Sequence, residues 1–299
     1  DDFYAQTPSG ATGGALPGGI GWYRKHLTLH DNDATSRYVL HFDGAYMNTS
    51  LYVNGKLVGT RPYGFISFSF DLTPYLNKQG DNVVAVKVDN SEQPNSRWYT
   101  GCGIYRHVYL MKSTDIRVAQ WGVQAIPEVK KGVAKLTLNT QIENPSGRNR
   151  KVTVRQKLWN KAHQLVAQTT KTLNVEASGA TVTQQMRAQK PQLWSLASPY
   201  LYTVTTEIVE NGRVLDTETT TIGFRTIAFD VEKGFFLNGE NIKLNGVCLH
   251  GDLGCLGAAV NEDALHRQLI MMKEMGANAI RCSHNPPAPE LLDLCDSMG

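Results

Sequence analysis

The sequence predicts a mainly β chain: a jelly-roll-like β-sandwich, an immunoglobulin-like β-sandwich, and then the first two β/α units of an incomplete (β/α)8 barrel. Three observations carry this reading. From Trp22 to Leu110, short alternating runs rich in Val, Tyr and Phe are broken about every ten residues by turn chemistry. From Ser113 to about Ile222 the strands lengthen and carry Thr and Lys on their outer face. From Phe235 strands alternate with helical periodicity. The corresponding domains are expected at 1–112, 113–225 and 226–299.

In the first region Ser50-Leu51-Tyr52-Val53 leads through Asn54-Gly55 into Lys56-Leu57-Val58-Gly59, because Asn-Gly tolerates the two positive φ angles of a tight hairpin turn. Residues Phe65 to Phe70 alternate large and small, as a half-buried strand does. Val83 to Val88 is apolar on both faces and reads as a central strand rather than an edge. In the second region, runs such as Val133 to Leu138 and Val152 to Leu158 are separated by turn clusters at Glu143 to Gly147 and Glu210 to Gly212, giving about seven strands. Pro191 to Pro199, with Trp194 between, reads as an extended segment without chemistry.

In the third region Phe235 to Glu240 is a short hairpin and Ile242 to Leu249 a mostly apolar strand. Asn261 can cap a helix whose first turn carries Glu262 and Asp263, the acids favoured by the helix dipole there. Leu265, Leu269 and Met272 share one face, widened by Ile270 and Met271, and Gly276 ends the helix. Asn278 to His284 is a second strand, and Pro286, Pro287 and Pro289 introduce a second helix through Leu291, Leu292 and Cys295. Two such units cannot bury a parallel sheet on both faces, and a closed barrel takes eight in roughly 250 residues. A truncated barrel is therefore expected.

Composition narrows the function. Of 299 residues, 41% are hydrophobic and 19% charged, which describes a globular chain. The net charge of +3 forms no basic stripe, so nucleic acid is not an expected partner. No apolar stretch approaches the about 18 residues of a membrane-spanning helix, so no membrane partner is expected either. Cys102, Cys248, Cys255, Cys282 and Cys295 are odd in number and irregularly spaced, and are expected to be mostly small buried hydrophobes rather than disulfide partners. The opening residue Asp1 leaves removal of a leader open, which tilts the compartment towards periplasmic or secreted over cytoplasmic.

Active sites of such barrels lie at the C-terminal ends of the strands. The residues there are Leu249-His250-Gly251-Asp252 and Arg281-Cys282-Ser283-His284-Asn285, so each strand delivers a histidine to one rim. A zinc site is set aside, because alternate residues on a strand face opposite ways and the Cys and His spacings match no usual set. The glycine-rich stretches Gly10 to Gly19 and Gly101-Cys102-Gly103 do not join a strand to a helix, as a phosphate loop must. No serine carries an elbow motif, and Cys282 next to Ser283 and His284 is adjacency in sequence only. Arg97-Trp98-Tyr99 is either a platform for a sugar face or a loop anchored on the sandwich by Trp98.

Three segments resemble the N-terminal half of glycoside hydrolase family 2, most closely its β-galactosidase-like members. Gly18 to Lys25, with Phe42 to Tyr46 and Val53-Asn54-Gly55, is similar to the family's sugar-binding sandwich. Ser96 to Arg106 is similar to its loop that reaches the active site, and Asn278 to Pro286 to its signature at the second barrel strand. The resemblance implies a retaining hydrolase using two glutamates on later strands, about 5 Å apart. No catalytic residue is then expected within this chain, which alone is expected to be inactive. His250 and His284 would bind glycone hydroxyls, with Asp252, Asn285 and Trp98 also facing substrate, and Arg281 would hold the nucleophilic carboxylate ionised. Family members often carry an acid where this chain has Arg97, which opens the identity of the sugar. The implied partner is a β-galactoside or oligosaccharide. A homo-oligomer is left open, as is a divalent or monovalent cation in a longer protein, although no cofactor is called for. The alternatives are a non-catalytic carbohydrate-binding or assembly module, a β-glucuronidase or a β-mannosidase.

Overall fold

The computed structural model describes residues 6–299, so the first five positions lie outside the described residues. The chain forms two compact units. One contains the residues up to Lys112 together with Gly246–Leu292, and the other contains Ser113–Asn245 together with Asp293–Gly299.

The first unit is a sandwich joined to the two β/α segments. Its larger sheet runs Gly19–Thr28, Asp81–Asn90, Thr49–Val53, Lys56–Arg61, and its smaller sheet Phe68–Asp71, Arg37–Phe42, Val108–Ser113. Asp81–Asn90 is central, and its residues Asn82, Val84, Val86, Val88 and Asn90 are buried on one face, as strand alternation requires. They close on Leu40, Phe42, Leu51 and Val53, with Phe42 stacked on Phe68 at 4.9 Å. The hairpin at Asn54 (φ 51°) and Gly55 (φ 78°) is as the sequence predicts. Asn54 also accepts from the Val83 amide at 2.9 Å and donates to Asn82 at 2.9 Å, fastening the turn to the central strand.

Two strand expectations are corrected. The strand predicted over Phe65 to Phe70 occupies Phe68–Asp71, because pairing with Arg37–Phe42 begins at Phe42 opposite Phe68. Phe65 instead packs its ring on Tyr46 (4.7 Å) and Tyr63 (5.8 Å). The strand predicted from Ile242 is confined to Gly246–Leu249, which pairs in parallel with Ala279–Cys282. The Ile242 amide is instead tied to the Phe235 carbonyl at 2.9 Å.

Helix α1 (Glu262–Glu274) starts where expected, with the Asn261 side chain accepting from the Ala264 amide at 2.9 Å. Leu265 and Leu269 are buried and Met272 is half-buried. Ile270 and Met271 stay 39% and 53% exposed, against expectation, because a two-stranded sheet is too narrow to cover more than the central stripe of a helix. Helix α2 spans Pro289–Met298. The expectation of buried cysteines also fails: Cys248 and Cys255 are exposed, the other three half-buried, and no disulfide forms. Cys248 lies on the exposed face of its strand, and Cys255 lies in the turn Gly254–Leu256.

The second unit is a seven-stranded sandwich. Its sheets run Arg117–Lys130, Val133–Glu143, Ala180–Gln189 and Leu165–Val175, Arg150–Trp159, Tyr202–Glu210, Arg213–Ile222. Leu136, Leu138, Leu158, Val204 and Phe224 are among its core residues. The extended segment around Trp194 is present, and the buried indole N–H donates to the Asp296 carbonyl at 2.7 Å. The hairpin through Gly234–Leu237 and Glu240–Asn241 also belongs to this unit.

Candidate active-site rim

The site lies within the first unit, at the C-terminal ends of the parallel strands. Pairing ends with Leu249 opposite Cys282, and the Ser283 amide then donates to the Leu249 carbonyl at 2.7 Å. That extra bond holds the two chain exits side by side. His250 and His284 consequently meet edge to face, with ring centroids 6.0 Å apart. Trp98 also meets His284 edge to face, at 6.4 Å. The ring order is Trp98, His284, His250. His250 and His284 are exposed and Trp98 is half-buried, so polar ring edges and an aromatic body are offered together.

Behind these rings lies a cleft of about 80 Å³ whose lining includes Trp98, Tyr99, Tyr105, His250, Asp252 and Asn285. That is small beside the about 300–1,000 Å³ of a ligand pocket, so the rim forms one wall of a site rather than an enclosure. Asn285 accepts weakly from the Tyr63 hydroxyl at 3.4 Å. Asp252 is exposed.

Arg281 projects from the face of its strand that also carries Cys248, its register partner. Its Nη1 donates to Ser283 Oγ at 3.1 Å and lies 3.8 Å from Cys248 Sγ. The Ser283 hydroxyl, and then the Arg281 guanidinium, push the Cys248 thiol below its ordinary range, while burial pushes the Cys282 thiol up. Among the described residues no ion pair joins Arg281 to a carboxylate, and no cluster of three or more His, Cys, Asp or Glu has metal-holding geometry.

Of the residues singled out from sequence, His250, His284, Trp98, Asp252 and Asn285 gather at this rim, and Arg281 lies beside it. Arg97 is exposed on the loop next to Trp98 and does not line the cleft. Tyr99, weighed in the sequence beside Trp98, lines the cleft, whereas sequence reasoning missed Tyr63, Phe65, Tyr105 and Arg106, which back the rim from the sandwich. The only signal for them was the motif ending Gly103-Ile104-Tyr105-Arg106, and a motif does not show which loop it touches.

Three family models match consecutive stretches: Glycosyl hydrolases family 2, sugar binding domain, over 15–114; Glycosyl hydrolases family 2 over 116–225; and Glycosyl hydrolases family 2, TIM barrel domain, over 229–299. The chain belongs to glycosyl hydrolases family 2. It is 53% identical over 300 residues to Beta-galactosidase BoGH2A of Bacteroides ovatus, covering 100% of this chain and 35% of that protein. It is 30% identical to a Beta-glucuronidase of Formosa agariphila, covering 94% of this chain and 31% of that protein. A crystal structure of a glycosyl hydrolase family 2 member from Bacteroides cellulosilyticus superposes with a TM-score of 0.95 at 35% identity, covering 99% of this chain and 38% of that one. The chain thus spans about a third of the length of these curated relatives. Family membership accounts for the order of a sandwich, a second sandwich and the start of a barrel.

Proposed function

We propose that this chain supplies the glycone-facing wall of a retaining β-galactosidase whose two catalytic carboxylates lie on other barrel strands. The observation that carries the reading is the cluster of Trp98, His284 and His250 at the ends of two parallel strands, with centroid spacings of 6.4 and 6.0 Å. Two imidazoles can each donate to or accept from a sugar hydroxyl, and the indole offers an apolar face to C–H groups. Such hydrogen bonds accelerate the reaction to the extent that they strengthen as the oxocarbenium-like transition state forms. Asp252 and Asn285 extend the polar edge of the wall. Arg281, exposed and without a carboxylate partner among the described residues, is suited to hold a nucleophilic carboxylate ionised and fixed in orientation.

Retaining hydrolysis needs two carboxyls about 5 Å apart, and Asp252 is the one carboxylate among the residues lining the cleft. The 299-residue chain is therefore expected not to turn over a nitrophenyl β-galactoside, and measurable hydrolysis by the purified chain would overturn this. A second reading, a β-glucuronidase, is raised by the similarity to the Beta-glucuronidase of Formosa agariphila. A panel of nitrophenyl β-glycosides, assayed with the protein extended through a complete barrel, separates the two. Preference for the galactoside supports the first reading. Preference for the glucuronide supports the second, and inactivity on every member sinks both.

A further inference from the structure

We infer that Tyr105-Arg106 is a positioning element of the sandwich that holds both sugar-facing loops of the rim, through Tyr105 for the loop after His250 and through Arg106 for the loop after His284. The consequence for sugar binding rests on the function proposed above; the holding itself does not.

The loop after the second strand contains Pro286, Pro287 and Pro289, which have no N–H and so cannot close the loop with their own backbone bonds. The carbonyls of Pro286 and Pro287 take a donor from outside the loop. Arg106 supplies it: Nη2 donates to the Pro286 carbonyl at 2.7 Å and Nη1 to the Pro287 carbonyl at 3.3 Å. Nη1 also reaches the Asp43 carbonyl at 3.4 Å, so the planar fork bridges the sandwich to the residues that directly follow His284 and Asn285. The other loop is held by the preceding residue, because the Val260 amide donates to the Tyr105 carbonyl at 2.8 Å.

The element is itself fixed from behind. Tyr105 is 9% exposed, and its hydroxyl donates to the Gly64 carbonyl at 2.8 Å. The Arg106 amide bonds the Gly44 carbonyl at 3.4 Å, and the guanidinium lies 5.1 Å from the Tyr105 ring. At Gly44 an added Cβ would come within 2.8 Å of the Tyr105 ring and hydroxyl, so this close approach needs glycine. Both residues line the cleft behind the row of Trp98, His284 and His250 rather than standing in it. Their role is to fix where those rings stand.

The test measures amide hydrogen exchange by NMR on the 299-residue chain, on Arg106→Ala and on Arg106→Lys, each with and without methyl β-galactoside, while the imidazole signals of His250 and His284 are followed. Losing charged hydrogen bonds that close a local opening should speed exchange at Ser283 on the order of tenfold in Arg106→Ala. Central-strand amides of Asp81–Asn90 should be unchanged. Lysine keeps the charge but lacks the fork, so Arg106→Lys should show the same local change in smaller degree, which keeps the test decisive if the alanine variant does not fold. The sugar-dependent imidazole shifts should be lost or need a higher sugar concentration. Unchanged exchange at Ser283 overturns the inference, as does acceleration spread evenly over the sandwich. Local acceleration with undiminished sugar shifts overturns its consequence for binding. If the unmodified chain shows no sugar shift while exchange rises locally in the variants, the holding role stands and the sugar-site reading falls.

Discussion

Replacing Arg150 by Met should destabilise the second unit by about 3 kcal/mol at pH 7. Arg150 forks onto Glu210, with Nε to Oε1 and Nη2 to Oε2 both at 2.6 Å, and its Nη1 donates to Asp115 Oδ1 at 2.8 Å. The three side chains are 9%, 21% and 13% exposed, so removing the cation strands two carboxylates that water only partly reaches. Breaking a fully buried pair costs about 3–5 kcal/mol, and residual exposure places this case near the lower bound. For a unit of this size that is a fall in Tm of roughly 10 °C. Hydrogen bonding to Arg150 holds the Glu210 carboxyl below its usual 4.5. A depressed carboxyl contributes stability above its unfolded value and loses it as pH falls through the folded one. The gap between the natural chain and Arg150→Met should therefore be full at pH 7 and narrow progressively below about pH 4. Calorimetric scans of both proteins across pH 3 to 7 measure it. A loss under about 3 °C at pH 7, or a loss that does not shrink in acid, would refute the reasoning.

Three further outcomes are expected. Leu269→Ala removes a side chain that is 4% exposed and should cost about 3 kcal/mol in denaturant unfolding of the first unit, whereas Met271→Ala, on the exposed flank of the same helix, should cost under about 1 kcal/mol. At Gly103 (φ 86°) an added Cβ would sit 2.3 Å from the Tyr23 hydroxyl oxygen, so Gly103→Ala should lower the Tm of the first unit, and an unchanged Tm would show that the Tyr23 contact yields freely. Cys248, with its thiol lowered by Ser283 and Arg281, should be alkylated by iodoacetamide faster at pH 7 than Cys282, whose thiol is raised by burial; mass spectrometry of early time points reads the order, and equal rates would contradict it.

The fold was largely legible because its signals are local. Asn54-Gly55 names a hairpin, the apolar run Val83 to Val88 names a central strand, and Asn261 with Glu262 and Asp263 names a helix start. Where the reading went astray, a neighbour decided. Phe65 leaves the strand pattern to pack on Tyr46 and Tyr63, and Ile242 is drawn to the preceding hairpin by the Phe235 carbonyl. Ile270 and Met271 look like core and are not, since periodicity gives the face of a helix but not the width of the sheet beneath it. At the rim, His250 and His284 were legible because strand ends are read from the chain. Arg106 and Tyr63 were not, because their partners at Pro286, Pro287 and Asn285 lie about 180 to 220 positions away.

The most direct test of the rim is a crystal of the chain soaked with methyl β-galactoside. The proposed function predicts the sugar ring against Trp98, with hydroxyls within hydrogen-bonding distance of His250 and His284. Sugar bound elsewhere on either sandwich, with this rim unoccupied at saturating concentration, would contradict it.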